Sequence, residues 1–413
     1  MSRSRSGRPS PIGRRGPDGI HTLAVRCAVL GPGEYRGPTE LVWGADGRLL
    51  ALRRPTQPVE DLCALPGLVN AHSHLQIPAL AAAPRTFLPW VRAVMASRAR
   101  TSPLELRQLA QTAMRRLLAE GVSAVGEIDS SGATPAALQP LPVGGRCYQE
   151  LTGFHLDAAA ARALVRARWQ LAGQTLAAGL SPHAPYSVSP ALFQAAAKRT
   201  RWLAVHCAEV PEEQEFLHRG SGPFAELLAQ LGRLPMGFRA PRMGAVRWLE
   251  QLGVLRRGTL LVHCQELERG DAARIRANGA AIAVCPGTMA WFGRPAPPVP
   301  RWVAMGIPVA LGTDSPASVE VFSLRAELAA AAQLWPALPP AQHLAMVTTA
   351  AAAAIGCPAR GRLRRGGPAD CQLVPAGTDC AAALLPAWIH NALQPVQVVA
   401  GGRFCGDASD LRG

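Results

Sequence analysis

Through the middle of the chain, short runs rich in Val, Ile, Leu and Ala alternate with longer stretches in which apolar positions recur every third or fourth residue. The first pattern predicts strands covered on both faces, and the second predicts amphipathic helices. Strands are predicted over 68–74, 122–128, 144–151, a run ending at Ser181, 202–205, 260–262, 281–284 and 307–311. One helix start is strongly marked, with Ser102 as cap, Pro103 as the first helical residue and Glu105 as the third, and Ser189-Pro190 opens another in a similar way. Helices are predicted from Ser102 to Gly121, near 157–178, from Ser189 onward, and as a longer insertion over 211–253. Strands joined by helices of this length pair in parallel, because a parallel neighbour is reached only through a crossover. Eight such units over 66–360 predict an α/β chain with a TIM-like (β/α)8 barrel.

Both ends of the chain read differently. Residues 19–65 hold short β segments around His21 to Leu30, Glu40 to Trp43 and Leu49 to Leu52, with the turn Gly44-Ala45-Asp46-Gly47 between the last two. Residues 361–413 return to that style near 370–375 and 396–404, which predicts a small β-sandwich domain assembled from both termini. Residues 1–18, rich in Arg, Ser, Gly and Pro and without an apolar centre, are expected to form a disordered basic tail rather than a secretory signal. No apolar run has the length of a membrane span, so no membrane partner is expected.

Composition adds exclusions. The formal net charge is +15, yet Lys198 is the only lysine and the arginines outside the tail are scattered singly or in pairs. Aromatic residues make up 5%, too few for a base-stacking platform, so the basic balance is not read as a nucleic-acid surface. The ten cysteines include no CxxC, and Cys207, Cys264 and Cys285 end strand-like runs as buried thiols would, which points to a cytoplasmic protein without disulfides. Assembly into a homo-oligomer is left open.

Polar residues gather where the predicted strands end. His72 and His74 share one side of the first strand, Glu150 follows the third, His183 the fourth, His206 and Glu209 the fifth, His263 the sixth and Asp314 the eighth. Five of the ten histidines fall at these ends, which favours one shared metal site on the rim where barrel enzymes carry their chemistry. Each residue also has a structural reading. A single histidine can serve packing, Asp314 can hold a turn, Trp90 can pack a loop, and Glu209 can cap the helix opening at Pro211.

Five motifs in order, Pro66 to His74, Ser181 to Ser187, His206 to Glu209, Val262 to Cys264 and Leu311 to Ser315, resemble the amidohydrolase superfamily and its mononuclear-metal deaminase and chlorohydrolase branch. The resemblance covers nearly all of 21–405. It implies that His72, His74, His206 and Asp314 bind one divalent metal, expected to be zinc with Fe2+ as the alternative. The lysine that bridges two metals in other members is missing, since the fourth strand offers His183 and Lys198 lies on a helix. Bound zinc lowers the pKa of a water toward about 7, giving the attacking hydroxide. By the same resemblance Asp314 relays the water's proton, Glu209 protonates a ring nitrogen and His263 stabilises the tetrahedral intermediate.

His183 and Tyr186 are expected in the substrate pocket, and Trp90, on the loop after the first strand, over a planar ring. Arg146, Arg85 and Arg294 are candidate partners for an anionic group. Within the branch, 181–187 and 206–217 are similar to aminodeoxyfutalosine deaminase-like proteins, which implies an adenine-type ring. Gly287, Met289, Gln265 and Glu266 depart from that pattern where polar pocket residues are expected. The leading expectation is a small-molecule hydrolase that deaminates a purine-like N-heterocycle. A chlorohydrolase or amidase of the same fold, and a non-catalytic basic binding protein, stand as alternatives.

Overall fold

The computed structural model describes residues 13–405 apart from 17, 172, 174 and 378–380. Its centre is an eight-stranded sheet of Leu68–Ser73, Val122–Asp129, Gly144–Leu151, Ala177–Pro182, Leu203–Cys207, Thr259–His263, Ala281–Val284 and Val309–Leu311, each parallel to its sequence neighbour. Ser73 pairs with Asp314 across the ends of the order and closes the barrel. Two backbone hydrogen bonds secure this seam. The His74 N–H donates to the Asp314 carbonyl at 3.0 Å, and the Asp314 N–H donates to the His72 carbonyl at 3.2 Å. Beneath them the Asn70 side chain donates to Thr313 Oγ1 at 2.8 Å and accepts from the Thr313 N–H at 3.2 Å.

Alternation along the strands sorts the core into two parts. Val205, Leu261, Ile282 and Leu311 face the surrounding helices. The alternate positions Ala204, Val262, Ala283 and Ala310 cluster instead with Ala351, Ala352 and Ile355, which lie in and just after the helix Thr349–Ala354. Small inward residues leave room for the polar layer above them. The helix Pro103–Ala119 begins as its sequence dictates. Ser102 Oγ accepts from the Glu105 N–H, Glu105 reaches back to the Ser102 N–H, and Leu106, Ala110, Met114 and Leu117 give it a buried stripe. The helix expected near 157–178 ends earlier, spanning Ala158–Leu171, and Gly173 beyond it has a positive φ of 83°. The insertion over 211–253 forms the helices Pro211–Arg219, Pro223–Gln230 and Ala245–Gln251.

The termini build a separate nine-stranded mixed sheet whose main path runs Arg403–Cys405, Gln397–Ala400, Cys371–Pro375, Glu60–Pro66, His21–Gly31, Thr39–Trp43 and Leu49–Arg53. Leu23, Val25, Trp43, Ala64 and Leu373 form its own core. Most of the expected tail lies outside the described residues. Its end is ordered differently from that expectation, because Arg14 and Arg15 pair antiparallel with Thr22 and His21. The C-terminal segment also departs from an all-β reading, since Ala381–Ile389 is helical and buries Trp388, whose Nε1–H donates to Gln372 at 3.1 Å. Gly67 carries the chain from sheet to barrel, and a side chain there would meet Ser123 Oγ at 2.5 Å and Asp370 Cβ at 2.9 Å. Nine described cysteines are free thiols, and no described helix is long and apolar enough to cross a membrane.

Candidate active site

The barrel gathers at its mouth the four residues expected to hold a metal. Nε2 of His74 lies 3.3 Å from Nε2 of His206, and Oδ1 of Asp314 lies 3.5 Å from His72 Nε2 and 3.7 Å from His74 Nε2. Ligand atoms of His72, His74 and His206 lie within 4.8 Å of one another, as do those of His72, His263 and Asp314. Burial, followed by the charge of His72, lowers His74 to about 3, and burial with the surrounding imidazoles holds His206 well below its ordinary value. Both rings are therefore neutral, the form in which imidazole binds metal.

Two details fit a cation. His206 Nδ1 lies 3.0 Å from the His183 carbonyl, which can only accept, so the ring proton is on Nδ1 and the Nε2 lone pair faces the cluster. Both ring nitrogens of His72 are buried without a hydrogen-bond partner, a costly arrangement that a metal at Nε2 relieves. Three imidazoles and a carboxylate are the donor set of a water-activating zinc or ferrous site.

Asp314 is held from behind. Its Oδ2 accepts from Thr288 Oγ1 at 2.8 Å and from Ser318 Oγ at 2.9 Å, which leaves Oδ1 toward the imidazoles. Burial works against its charge, but the close approach of the His72 imidazole and the influence of His263 and His74 outweigh it and keep the carboxyl well below the usual range. The backbone is strained at the same rim. Ala208, His263, Cys264 and Asp314 all have positive φ, between 50° and 74°. Such conformations cost non-glycine residues on the order of 1–3 kcal/mol each and concentrate at functional sites. Gly312 permits the close approach of the eighth strand to the first, because a Cβ there would lie 2.7 Å from His72 Cβ and 2.8 Å from its carbonyl oxygen. Gly312→Ala is expected to displace His72 and weaken metal binding by about ten- to a hundredfold, checked by competitive chelation.

Glu209 lies beside this cluster, 4% exposed, with Oε1 3.8 Å from His263 Nε2 and 3.2 Å from Arg294 Nη1. Burial raises its carboxyl to about 7 against the opposing pull of Arg294. It does not cap the following helix, whose cap is Val210 with no side-chain bond. Glu213, fully buried, accepts the Glu209 N–H at 2.9 Å and so fixes the turn that presents Glu209.

A cavity of about 510 Å3 opens from the metal residues and is lined by His183, Tyr186 and Trp90 among others. Tyr186 stacks on Phe224 at 3.8 Å between ring centroids, and His183 Nδ1 is 2.7 Å from Ser187 Oγ. Trp90 is on the helix Phe87–Arg100 rather than on a loop, and its Nε1–H donates to the Ala317 carbonyl at 2.8 Å.

Two of the candidate arginines are not brought to the cavity. Arg146 is near the opposite end of the third strand, where Nε donates to the Ile355 carbonyl at 2.8 Å and the guanidinium stacks on Trp202. Arg85 pairs with Glu320 and lies over the Trp291 ring at 3.6 Å. Arg294 does reach the site, but its partner there is Glu209. Gly287, Met289, Gln265 and Glu266 line none of the cavity. Met289 packs in the core, and the Gly287 N–H donates to Glu327 at 2.8 Å. Thr288, Ser318 and Glu213 went unread in the sequence, where a threonine in a short helix, a serine in a loop and one more glutamate in an acidic helix turn carry no spacing signal.

An imidazole cluster with one carboxylate, at the C-terminal mouth of a (β/α)8 barrel and open to a largely apolar cavity, defines a mononuclear metal-dependent hydrolase. The sequence profile of the amidohydrolase family matches residues 63–404, and the chain belongs to that family. It is 32% identical over 303 residues to an aminodeoxyfutalosine deaminase of Deinococcus radiodurans, covering 67% of this chain and 69% of that one. Among solved structures it resembles the Helicobacter pylori aminofutalosine deaminase bound to methylthio-coformycin, with a TM-score of 0.80 at 20% identity over 93% of this chain and 99% of that one. It also resembles the zinc-bound atrazine chlorohydrolase of Arthrobacter aurescens, with a TM-score of 0.76 at 19% identity over 92% and 93% of the two chains.

Proposed function

We propose that the protein is a zinc-dependent aminohydrolase that removes the exocyclic amino group of a purine-like N-heterocycle, with an adenine-type ring as the first expectation. The observation that carries this reading is Glu209, a buried carboxyl raised to about 7 and set next to His263 and the imidazole cluster. A carboxyl of that pKa holds a proton at neutral pH often enough to give it to a ring nitrogen, which makes the adjacent C–N carbon electrophilic. The named Deinococcus relative supports the same class of reaction.

His72, His74, His206 and Asp314 would hold the metal, which when bound supplies Lewis acidity that brings the pKa of a water toward about 7. Oδ1 of Asp314 takes the water's proton and later returns it to the departing amine, while Thr288 and Ser318 keep the carboxylate from turning away. His263, neutral because burial lowers it to about 3, offers a hydrogen bond to the oxygen added at the reacting carbon. Tyr186, Phe224 and Trp90 wall the ring from water. A cytoplasmic setting agrees with the free thiols.

Purified protein is expected to contain about one zinc per chain and to release ammonia from at least one of adenosine, 5′-methylthioadenosine, guanine, cytosine and aminotriazines. Chloride release from a chlorotriazine without ammonia would point to the chlorohydrolase reading, and absence of both metal and products to a binding protein. The active form carries Glu209 protonated, so kcat/KM is expected to fall as pH rises through about 7. Arg294 favours the charged form of Glu209, so Arg294→Met should move that limb to higher pH, as read from the pH profile.

A further inference from the structure

The strand end that carries His72 and His74 is not held by regular pairing with the second strand. Asn70 faces Val125 and Ser73 faces Glu127, so the first strand carries one residue more than the second over this interval. His72 lies inside that bulge, where ladder bonds are lost and a side chain can be re-aimed. The two strands are in close contact there, since a Cβ on Gly126 would run into the Ala71 carbonyl.

Two carboxyls of the second strand take up the groups that the ladder leaves. Glu127, fully buried, accepts the Ser73 Oγ–H on Oε2 at 2.7 Å and the Leu75 N–H on Oε1 at 3.0 Å. Two residues on, Asp129 accepts from Gln76 Nε2 on Oδ1 at 3.1 Å and from Gln149 Nε2 on Oδ2 at 2.9 Å. The N–H groups of Ser131 and Gly132 fix Asp129 Oδ1 in turn, each at 2.9 Å. Residues 73, 75 and 76 are thus fastened to the second strand by side chains, with His74 between the fastened positions. Asp314 holds the backbone of His72 and His74 from the opposite flank. Glu127 lines no part of the cavity, and the proposed reaction leaves it without a role. Burial raises its carboxyl well above the ordinary range, against the bonds from Ser73 and Leu75, which makes the neutral glutamine side chain a fair mimic of it.

We infer that Glu127 is a positioning residue for the metal site, which sets the spacing and direction of His72 and His74 by gripping Ser73 and Leu75. This inference rests on the reading of the imidazole cluster as a metal site and on nothing about the substrate.

Zinc affinity by competitive chelation and the visible spectrum of the cobalt-loaded protein test it. Glu127→Ala releases both grips and is expected to bind zinc about ten- to a hundredfold more weakly, with its cobalt bands displaced. Glu127→Gln should restore both readouts, because its oxygen can accept the Leu75 N–H and its NH2 can donate to Ser73 Oγ. A purely structural role would lower the melting of the metal-free protein while leaving zinc affinity and the cobalt bands at their wild-type values, and that result overturns the inference. So does a glutamine variant as impaired as the alanine one. If Glu127→Ala does not fold, Ser73→Ala replaces it. It removes one grip and should give a smaller loss of zinc affinity with a cobalt shift in the same direction, and no change in either overturns the inference. A wild-type protein that binds no zinc removes the metal reading and this inference together. Neither readout needs turnover, so a protein that binds zinc and releases no ammonia loses the deaminase reading and keeps the role of Glu127.

Discussion

The Glu209→Gln variant is expected to keep its metal and lose between about a hundredfold and ten thousandfold of kcat, the range supplied by a well-placed general acid or base. Glutamine preserves the volume and the hydrogen bond from Arg294, but it has no acidic proton to give. Glu209 is not among the residues grouped around the cation position, so metal content should stay at the wild-type level. The loss should also be nearly flat across neutral pH, because the group that titrates near 7 is gone. Metal analysis with turnover on whichever substrate releases ammonia checks both parts. A variant with full metal and undiminished turnover would sink the acid role.

A second large effect is expected at Asp314. In Asp314→Asn the amide oxygen is best placed on the Thr288 and Ser318 hydroxyls, which turns the NH2 toward His72 and His74. An amide nitrogen neither ligates a cation nor takes a proton, so kcat should fall by about a thousandfold or more even at saturating zinc. Loss of the negative charge should weaken the metal as well, seen as easier removal by a chelator. Thr288→Ala and Ser318→Ala should give smaller losses, since each leaves one hydroxyl holding the carboxylate. Turnover measured against added zinc separates the catalytic loss from the loss of metal.

The barrel was legible because apolar runs bounded by polar strand ends are what an eight-strand closure requires, and the histidines and Asp314 stand at those ends. Residues away from strand ends were harder to place. Trp90 was read on the loop after the first strand, yet the helix Phe87–Arg100 carries it, and Pro89 is tolerated there because it stands in the first turn. Arg146 comes five residues before the end of its strand, and at about 3.3 Å per residue that carries it to the far side of the barrel. The strand bounds alone would have excluded it. Arg294 was named for a substrate anion, but the nearest anion proved to be the chain's own Glu209. Distance in sequence hides such a pairing, because only the folded rim sets the two loops side by side. The pocket departures lost their weight for a similar reason, as the helix Pro286–Trp291 that carries Gly287 and Met289 and the turn at Gln265 and Glu266 leave all four positions out of the cavity lining.

The seam between the first and eighth strands has a bearing on how the molecule assembles and fails. Asn70 and Thr313, joined there, are 243 positions apart, so this is one of the last pairings whose loop-closure entropy can be recovered during folding. Because His72, His74 and Asp314 supply the seam's backbone bonds and are also the residues that would hold the cation, a bound ion would act as a clasp on the barrel. Removing it should loosen the ring at one place first, so that amide exchange rises at positions 72–74 and 312–314 before it rises elsewhere.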